Sequence, residues 1–273
     1  MMPDFLRRLS VHRLALYYLL ILLLAAEIFC LAHILPYPPL DLAFSALVTG
    51  AASFGGNWIF SRVWEVESSP DSVWITALIL ILIITPFAPR DLHAIGYAVF
   101  ASLWAMAAKY IFTVKRRNIF NPAAFGVALA ALALGSSVSW WIGGSLYVLP
   151  LVILGGMLIL AKMNVTEMLA AFAAAALFTV AVTSPVGHPL QAAGDIALHS
   201  MFFFFGFAML TEPKTAPLGR VNRIVYGGLV GILFAPEIHF GAWYTTPEAA
   251  LLIGNLFSAA TYWRRRRMAA AAA

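Results

Sequence analysis

The chain is a succession of apolar runs separated by short polar or proline-containing breaks. A helix crossing about 30 Å of hydrocarbon needs about 20 mainly apolar residues. Ten stretches approach that pattern: Leu14–Leu35, Leu40–Phe60, Val73–Phe87, Leu92–Phe112, Asn121–Val138, Gly144–Ala161, Val165–Thr183, Ile196–Leu210, Ile224–Phe234 and Glu248–Tyr262. Their apolar positions are continuous, without the alternation that membrane β-barrel strands show. The third, eighth, ninth and tenth are short and abut Pro or Gly. The first has too long an apolar core for a cleaved signal peptide, and no small-x-small site follows it. The pattern predicts an all-α, polytopic membrane domain over residues 14–263, with halves at 14–138 and 144–263. Residues 1–13 form a cytoplasmic segment before it. Residues 264–273 form a tail in which Arg264–Arg267 anchor the end and the Ala-rich remainder is expected to be disordered.

Composition sharpens this. Of 273 residues 62% are hydrophobic and 11% charged, with a mean hydropathy of +0.88. Soluble domains are about 45–50% apolar and about 25% charged, so these few charges cannot clothe a water-facing surface. Disorder, which needs low hydrophobicity and high charge, is excluded as well. Cys30 is the single cysteine and can form no internal disulfide, and no Cys/His spacing suggests zinc.

Charge then orients the helices. Basic residues of short loops stay on the cytoplasmic side. With ten spans, Arg7, Arg8, Arg13, Arg62, Lys109, Lys115, Arg116, Arg117, Lys162, Lys214, Arg220, Arg223 and Arg264–Arg267 fall on one side, and of the 17 basic residues Arg90 alone falls on the other. Ten spans with both termini in the cytoplasm are therefore expected. The pI of 9.5 follows from these topology signals facing anionic lipid, not from a nucleic-acid surface.

The breaks hint at internal symmetry. The third span runs out at Thr85-Pro86, with Pro89 beyond; the eighth runs out at Thr211-Glu212-Pro213, with Pro217 beyond. The fifth begins Asn121-Pro122-Ala123-Ala124 and the tenth Thr246-Pro247-Glu248-Ala249-Ala250. Five spans per half make the halves antiparallel, the inverted-repeat plan of many transporters, whose sites lie where interrupted helices meet.

Polar residues inside apolar spans are costly and so become candidates. Glu27, within the first span, is a candidate for an ion pathway or an interfacial acid. Lys109, near the inner end of the fourth, is expected to snorkel. Asn255, midway along the tenth, is expected to bond a neighbouring helix. Asn118 and Asn121 lie three apart at a helix start. Asn121 suits the N-cap and Pro122 the first turn, while the two carboxamides and the free amides of the helix end suit either simple capping or a flat hydrogen-bonding ring or anion. Glu212 and Lys214 sit beside two prolines where the eighth span ends, either in a surface loop or lining a cavity. His199 is expected to cap or pack. No Ser-His-Asp set, Walker loop or dinucleotide-binding glycine motif is present.

Two stretches carry a resemblance. DSVWITALILILIITPFAP followed by KYIFTVKRRNIFNPAAFGVAL, within residues 71–128, and HSMFFFFGFAMLTEPKTAPLGRVNRIVYGGLVGIL, from residue 199, resemble the NqrB/RnfD family. Its members are membrane subunits of the sodium-translocating NADH:quinone oxidoreductase and of the Rnf electron-transport complex. The resemblance extends over roughly residues 70–260. It implies a ten-helix inverted repeat related to urea channels. It also implies one component of a bacterial inner-membrane complex in which flavins pass electrons, with the help of redox partner subunits, while ions cross. By this resemblance Asn118 and Asn121 would hold a noncovalent flavin, riboflavin or FMN. Glu212 stands where the family usually has Asp, and with Lys214 would line the same cavity. Two departures stand out. Thr113-Val114-Lys115-Arg116-Arg117 replaces the family's glycine-rich turn. The loop that carries covalently bound FMN in the relatives shrinks to Ser139–Ser145, without a threonine, so covalent FMN is not expected. The residues themselves leave open a flavin-free channel or transporter, or a scaffold subunit, in place of an electron-carrying one.

Overall fold

The computed structural model describes residues 9–66, 68–115, 117–184, 188–199 and 201–271; Arg7, Arg8 and Arg116 of the orientation signal lie outside them. The protein is all-α, 73% helical. Its elements are α1 (Val11–Leu31), α2 (Pro39–Trp64), α3 (Pro70–Ile83), α4 (Leu92–Ile111), a hairpin of β1 (Thr113–Val114) and β2 (Arg117–Asn118), and α5 (Pro122–Leu134). There follow α6 (Leu149–Met163), α7 (Thr166–Thr183), α8 (Pro189–His199) and α9 (Phe202–Phe204), which runs into a π-helical turn at Phe205–Leu210. The chain closes with α10 (Arg220–Phe234), a hairpin of β3 (His239–Phe240) and β4 (Trp243–Tyr244), and α11 (Pro247–Ala271).

Among the described residues three helices, α1, α4 and α7, are long and apolar enough to cross a membrane. The pair α8 and Phe202–Leu210 qualifies only together, bent by 66°. Helix α2 has 26 residues, but Ser, Thr, Gly and Asn57 dilute its apolar character. Helices α3, α5 and α6 are apolar but have 14, 13 and 15 residues, about 20–23 Å at 1.5 Å per residue. Several expected spans are thus shorter than the apolar runs containing them. The third stops at Ile83 rather than Phe87, because Ile84 and Phe87 remain buried in extended chain. The eighth is broken between His199 and Phe202 instead of running straight to Leu210. The tail also differs from expectation: α11 continues through Arg264–Arg267 to Ala271 as helix, in keeping with the strong helix propensity of Arg and Ala.

Lipid is the solvent that fits the surface. Leu47, Leu132, Leu154 and Phe178 are between 65% and 79% exposed, and water would penalise so much uncovered apolar surface. Inside, helices approach closely through small residues. Helix α4 packs against α2 and α5, and α10 against α7 and α11. At Gly126 of α5 an added Cβ would overlap the Ala101 carbonyl, and at Gly227 of α10 the Met168 carbonyl; small residues allow this approach in membranes. Helices α1 and α6 touch each other, as do α5 and α11.

The end of α3 is sealed in an unusual way. The last carbonyls of a helix have no partner within it. Here the segment after α5 docks on them: Trp140 N–H donates to Ile83 O (3.0 Å), Ile142 N–H to Leu82 O (3.4 Å) and Trp141 Nε1–H to Ile81 O (3.0 Å). Thr85 Oγ1 donates to Ser139 Oγ at 2.7 Å.

Candidate functional site

The interrupted helix ends converge on one cavity. Asn121 has extended backbone angles (φ −61°, ψ 120°), and its Oδ1 accepts the Ala124 N–H at 3.1 Å while Pro122 fills the first turn. This satisfies one of the orphan donors of a helix start. The preceding hairpin turns the chain back, with Ile119 N–H on Phe112 O (2.7 Å) and Thr113 Oγ1 donating to Lys109 O (2.6 Å) while lying 3.0 Å from the Asn118 carboxamide. Opposite, the π-helical turn ends at Thr211, whose Oγ1 donates to Phe207 O at 2.6 Å. Prolines 213 and 217 prevent the helix from resuming, and residues 211–217 fold under the start of α5. Asn121 Nδ2 reaches Met209 O at 3.5 Å, the Arg117 guanidinium donates to Ala216 O, and Ser258 Oγ of α11 donates to Thr215 O.

The cavity between these ends is lined by residues of α1 (His12, Tyr18), α3 (Ser72, Thr76), α5 (Pro122, Ala123), α6, the π-helical turn and the Thr211–Lys214 turn, together with Asn121. Asn121, Glu212 and Lys214 therefore share one space. Asn118 stands behind it, buried, facing the Glu212 carboxyl along with Thr215. Glu27 is partly buried on α1 beside Cys30 and is not among the lining residues. His199 faces a separate hollow with Tyr37, Trp141 and Tyr147.

Lys109 departs most from expectation. Far from snorkelling, it is buried at 9% exposure, and its ammonium donates to the Ser72 carbonyl. Lys214 Nζ lies 3.5 Å from Ser72 Oγ. Both ammoniums act on Glu212, whose Oε2 is buried without a hydrogen-bond partner. Burial pushes the Glu212 carboxyl above the ordinary carboxylate range, and Lys109 and Lys214 pull it back. The result is a Lys–Glu–Lys cluster across α4 and the turn after Leu210. In the sequence Lys109 was visible as a charge, but Ser72, its partner 37 residues earlier, gave no signal.

Asn255 bonds neighbouring helices, as its position in the tenth run led one to expect. Its Oδ1 accepts the Asn121 N–H at 2.7 Å, and its Nδ2 donates to the Tyr226 hydroxyl at 2.9 Å. Tyr226, absent from the sequence-based candidates, is fully buried and senses Glu212. A second buried acid also escaped notice as a site. Glu248, at 2% exposure in the first turn of α11, has an unpartnered Oε2 and lies close to Tyr97 and Trp140. Its one sequence signal was the Pro-Glu start of the tenth run.

The flavin implied by the family resemblance can be tested against these residues. The cavity holds about 40 Å³, whereas small-molecule pockets occupy about 300–1,000 Å³. Asn121 Oδ1 is engaged by its cap, and Asn118 is not among the residues that line the cavity. In this conformation the site does not fit a three-ring cofactor; it fits a few waters. Among the described residues no group of three or more His, Cys, Asp and Glu is placed to hold a metal ion. No family model and no curated protein matches the chain.

Proposed function

We propose that the chain is a flavin-free channel or transporter for ions, built on the NqrB/RnfD kind of fold. It sits in a bacterial inner membrane as ten spans in two antiparallel halves. The observation that carries this reading is the charged cluster of Glu212 and Lys214, which line a water-sized cavity where broken helices meet, with Lys109 buried behind it. Burying charge is expensive wherever water is excluded, so a buried charged cluster at the end of a membrane span is a functional candidate. The two-half arrangement is supported by matched contacts. Helix α4 lies between α2 and α5 as α10 lies between α7 and α11. Asn121 caps α5 through Ala124 N–H as Thr246 accepts Ala249 N–H at 3.3 Å at the start of α11.

The test is flux. Purified protein in proteoliposomes should move an ion down an imposed potential without any electron donor, and variants of Glu212 should lose that flux. Equal leakage in protein-free vesicles would remove the reading.

A second reading has its own support: a flavin-carrying form of the same protein, with Asn118 and Asn121 at the ring after the cavity opens. Its basis is the Asn-x-x-Asn-Pro motif shared with the resembled family. The absorbance spectrum decides it. Purified protein with no flavin chromophore, before or after denaturation, leaves the flavin-free reading; a released flavin that is lost in Asn121→Ala establishes the other.

A further inference from the structure

We propose that the ion handled at this cluster is the proton, relayed by the Glu212 carboxyl, with Lys109 acting as a positioning residue that supplies a tethered counter-charge. This deepens the transport reading above and rests on it.

The walls of the cavity decide the ion. Among the described residues that line it, Glu212 is the only carboxylate, and two basic side chains act on it: Lys109 from α4 and Lys214 from its own turn. The other titratable and charged groups nearby are His12 of α1, which senses Lys214 and Asp71; Arg13, 3.9 Å from Asp71; Tyr18 of α1; and Tyr226 of α10. A hard metal cation is held by several oxygens, usually including carboxylates. Here it would be a third positive charge around a single acid. An inorganic anion would meet the acid itself. A proton requires neither a coordination shell nor net negative charge, only a titratable atom in contact with water.

Glu212 supplies the titratable group and is one of the residues that line the cavity. Oε2 of Glu212 is buried and has no hydrogen-bond partner, so one oxygen is free to take up the proton. A cavity of about 40 Å³ has room for roughly three waters at about 10–15 Å³ each. A separate polar chain lies behind the carboxyl, where Tyr226 senses its charge. The Tyr226 hydroxyl accepts from Asn255 Nδ2 at 2.9 Å and keeps its own hydrogen to donate, while Asn255 Oδ1 holds the Asn121 N–H at 2.7 Å.

The step balances simply. Water in the cavity gives a proton to the Glu212 carboxylate, forming one O–H bond and leaving hydroxide, which takes a proton from the next water toward the bulk. The neutral acid later breaks that O–H bond and returns its proton to a water of the cavity. No electrons change hands. Lys109, held on the Ser72 carbonyl, compensates the carboxylate when both groups are charged.

The experiment uses the full chain in proteoliposomes, with a trapped pH dye and a potassium diffusion potential; labelled sodium uptake is followed in parallel. Wild type is expected to take up protons at a rate unaffected by the sodium concentration. Glu212→Gln should slow uptake about tenfold or more, below the about 10²–10⁴-fold that a proton-transferring group typically contributes, and Glu212→Asp should recover part of it. Sodium uptake that depends on Glu212, without proton uptake, overturns the proposal and leaves transport standing. Movement of neither ion overturns both. An infrared measurement separates the two failures and does not depend on flux. A protonated-carboxyl band that grows as pH falls in wild type, shifts in Glu212→Asp and is missing from Glu212→Gln supports the relay. Absence of that band from wild type overturns it.

Discussion

At the scale of single residues, the cluster is a trade between burial and pairing. Lys109 and Glu212 each tolerate burial because the other is present, so removing one is worse than removing both. Lys109→Met removes a positive charge that acts on the Glu212 carboxyl and leaves the Ser72 carbonyl without its donor, and a buried polar group left unpaired costs about 1–3 kcal/mol. Thermal unfolding in detergent should show that loss for Lys109→Met and a clearly smaller one for Lys109→Met/Glu212→Gln. Equal losses would mean that the two groups do not compensate each other. Some of this was legible in the sequence. Glu212 and Lys214 stood out because charge interrupts an apolar pattern, and Asn121 because Asn-Pro marks a helix start. The burial of Lys109 was not legible, since a lysine so close to a helix end has a stem long enough to reach the interface. What holds it is the start of α3, a tertiary fact. The Asn121–Asn255 bond joins positions 134 residues apart, and no local pattern encodes it.

At the scale of elements, hydropathy locates the apolar chain but does not tell where helix gives way to extended backbone. Ile84 and Phe87 are as buried as the helix before them, so the run reads on while the helix stops. Short apolar runs carry this ambiguity inherently. The breaks themselves were legible through Pro86, Pro213 and Pro217; the π-helical turn at Phe205–Leu210 was hidden in a run of phenylalanines with no distinguishing period. Close packing of α7 and α10 offers a test at this scale. Gly227→Ala would drive its methyl into the Met168 carbonyl, whereas Gly228 has nothing within 4 Å. The first substitution should destabilise by about 1–3 kcal/mol as overpacking does. The second should be neutral or stabilising by up to about 1 kcal/mol, since Ala is the better helix former. If both behave alike, α7 and α10 do not approach as described.

At the scale of the whole molecule, the charge asymmetry yields a prediction about sidedness. In a Cys30→Ser background, Lys115→Cys and Arg264→Cys should react with an impermeant maleimide only from the cytoplasmic side, and Arg90→Cys only from the opposite side. Labelling of Arg90→Cys and Lys115→Cys from the same face would break the ten-span arrangement. The all-α membrane class was legible from composition and the length of the apolar runs, whereas the partner of each helix depended on where small residues let backbones meet. That distribution of contacts also determines how the protein can move. The α7–α10 and α4–α5 pairs meet backbone to backbone at Gly227 and Gly126 and must shift as solid blocks. The joins between the blocks, where Tyr18 of α1 donates to Val152 O of α6 at 3.2 Å and where Asn121 meets Asn255, are held by side chains that can slide. Any widening of the cavity therefore has to open along those two seams, and a staple across either would freeze the molecule in its narrow form.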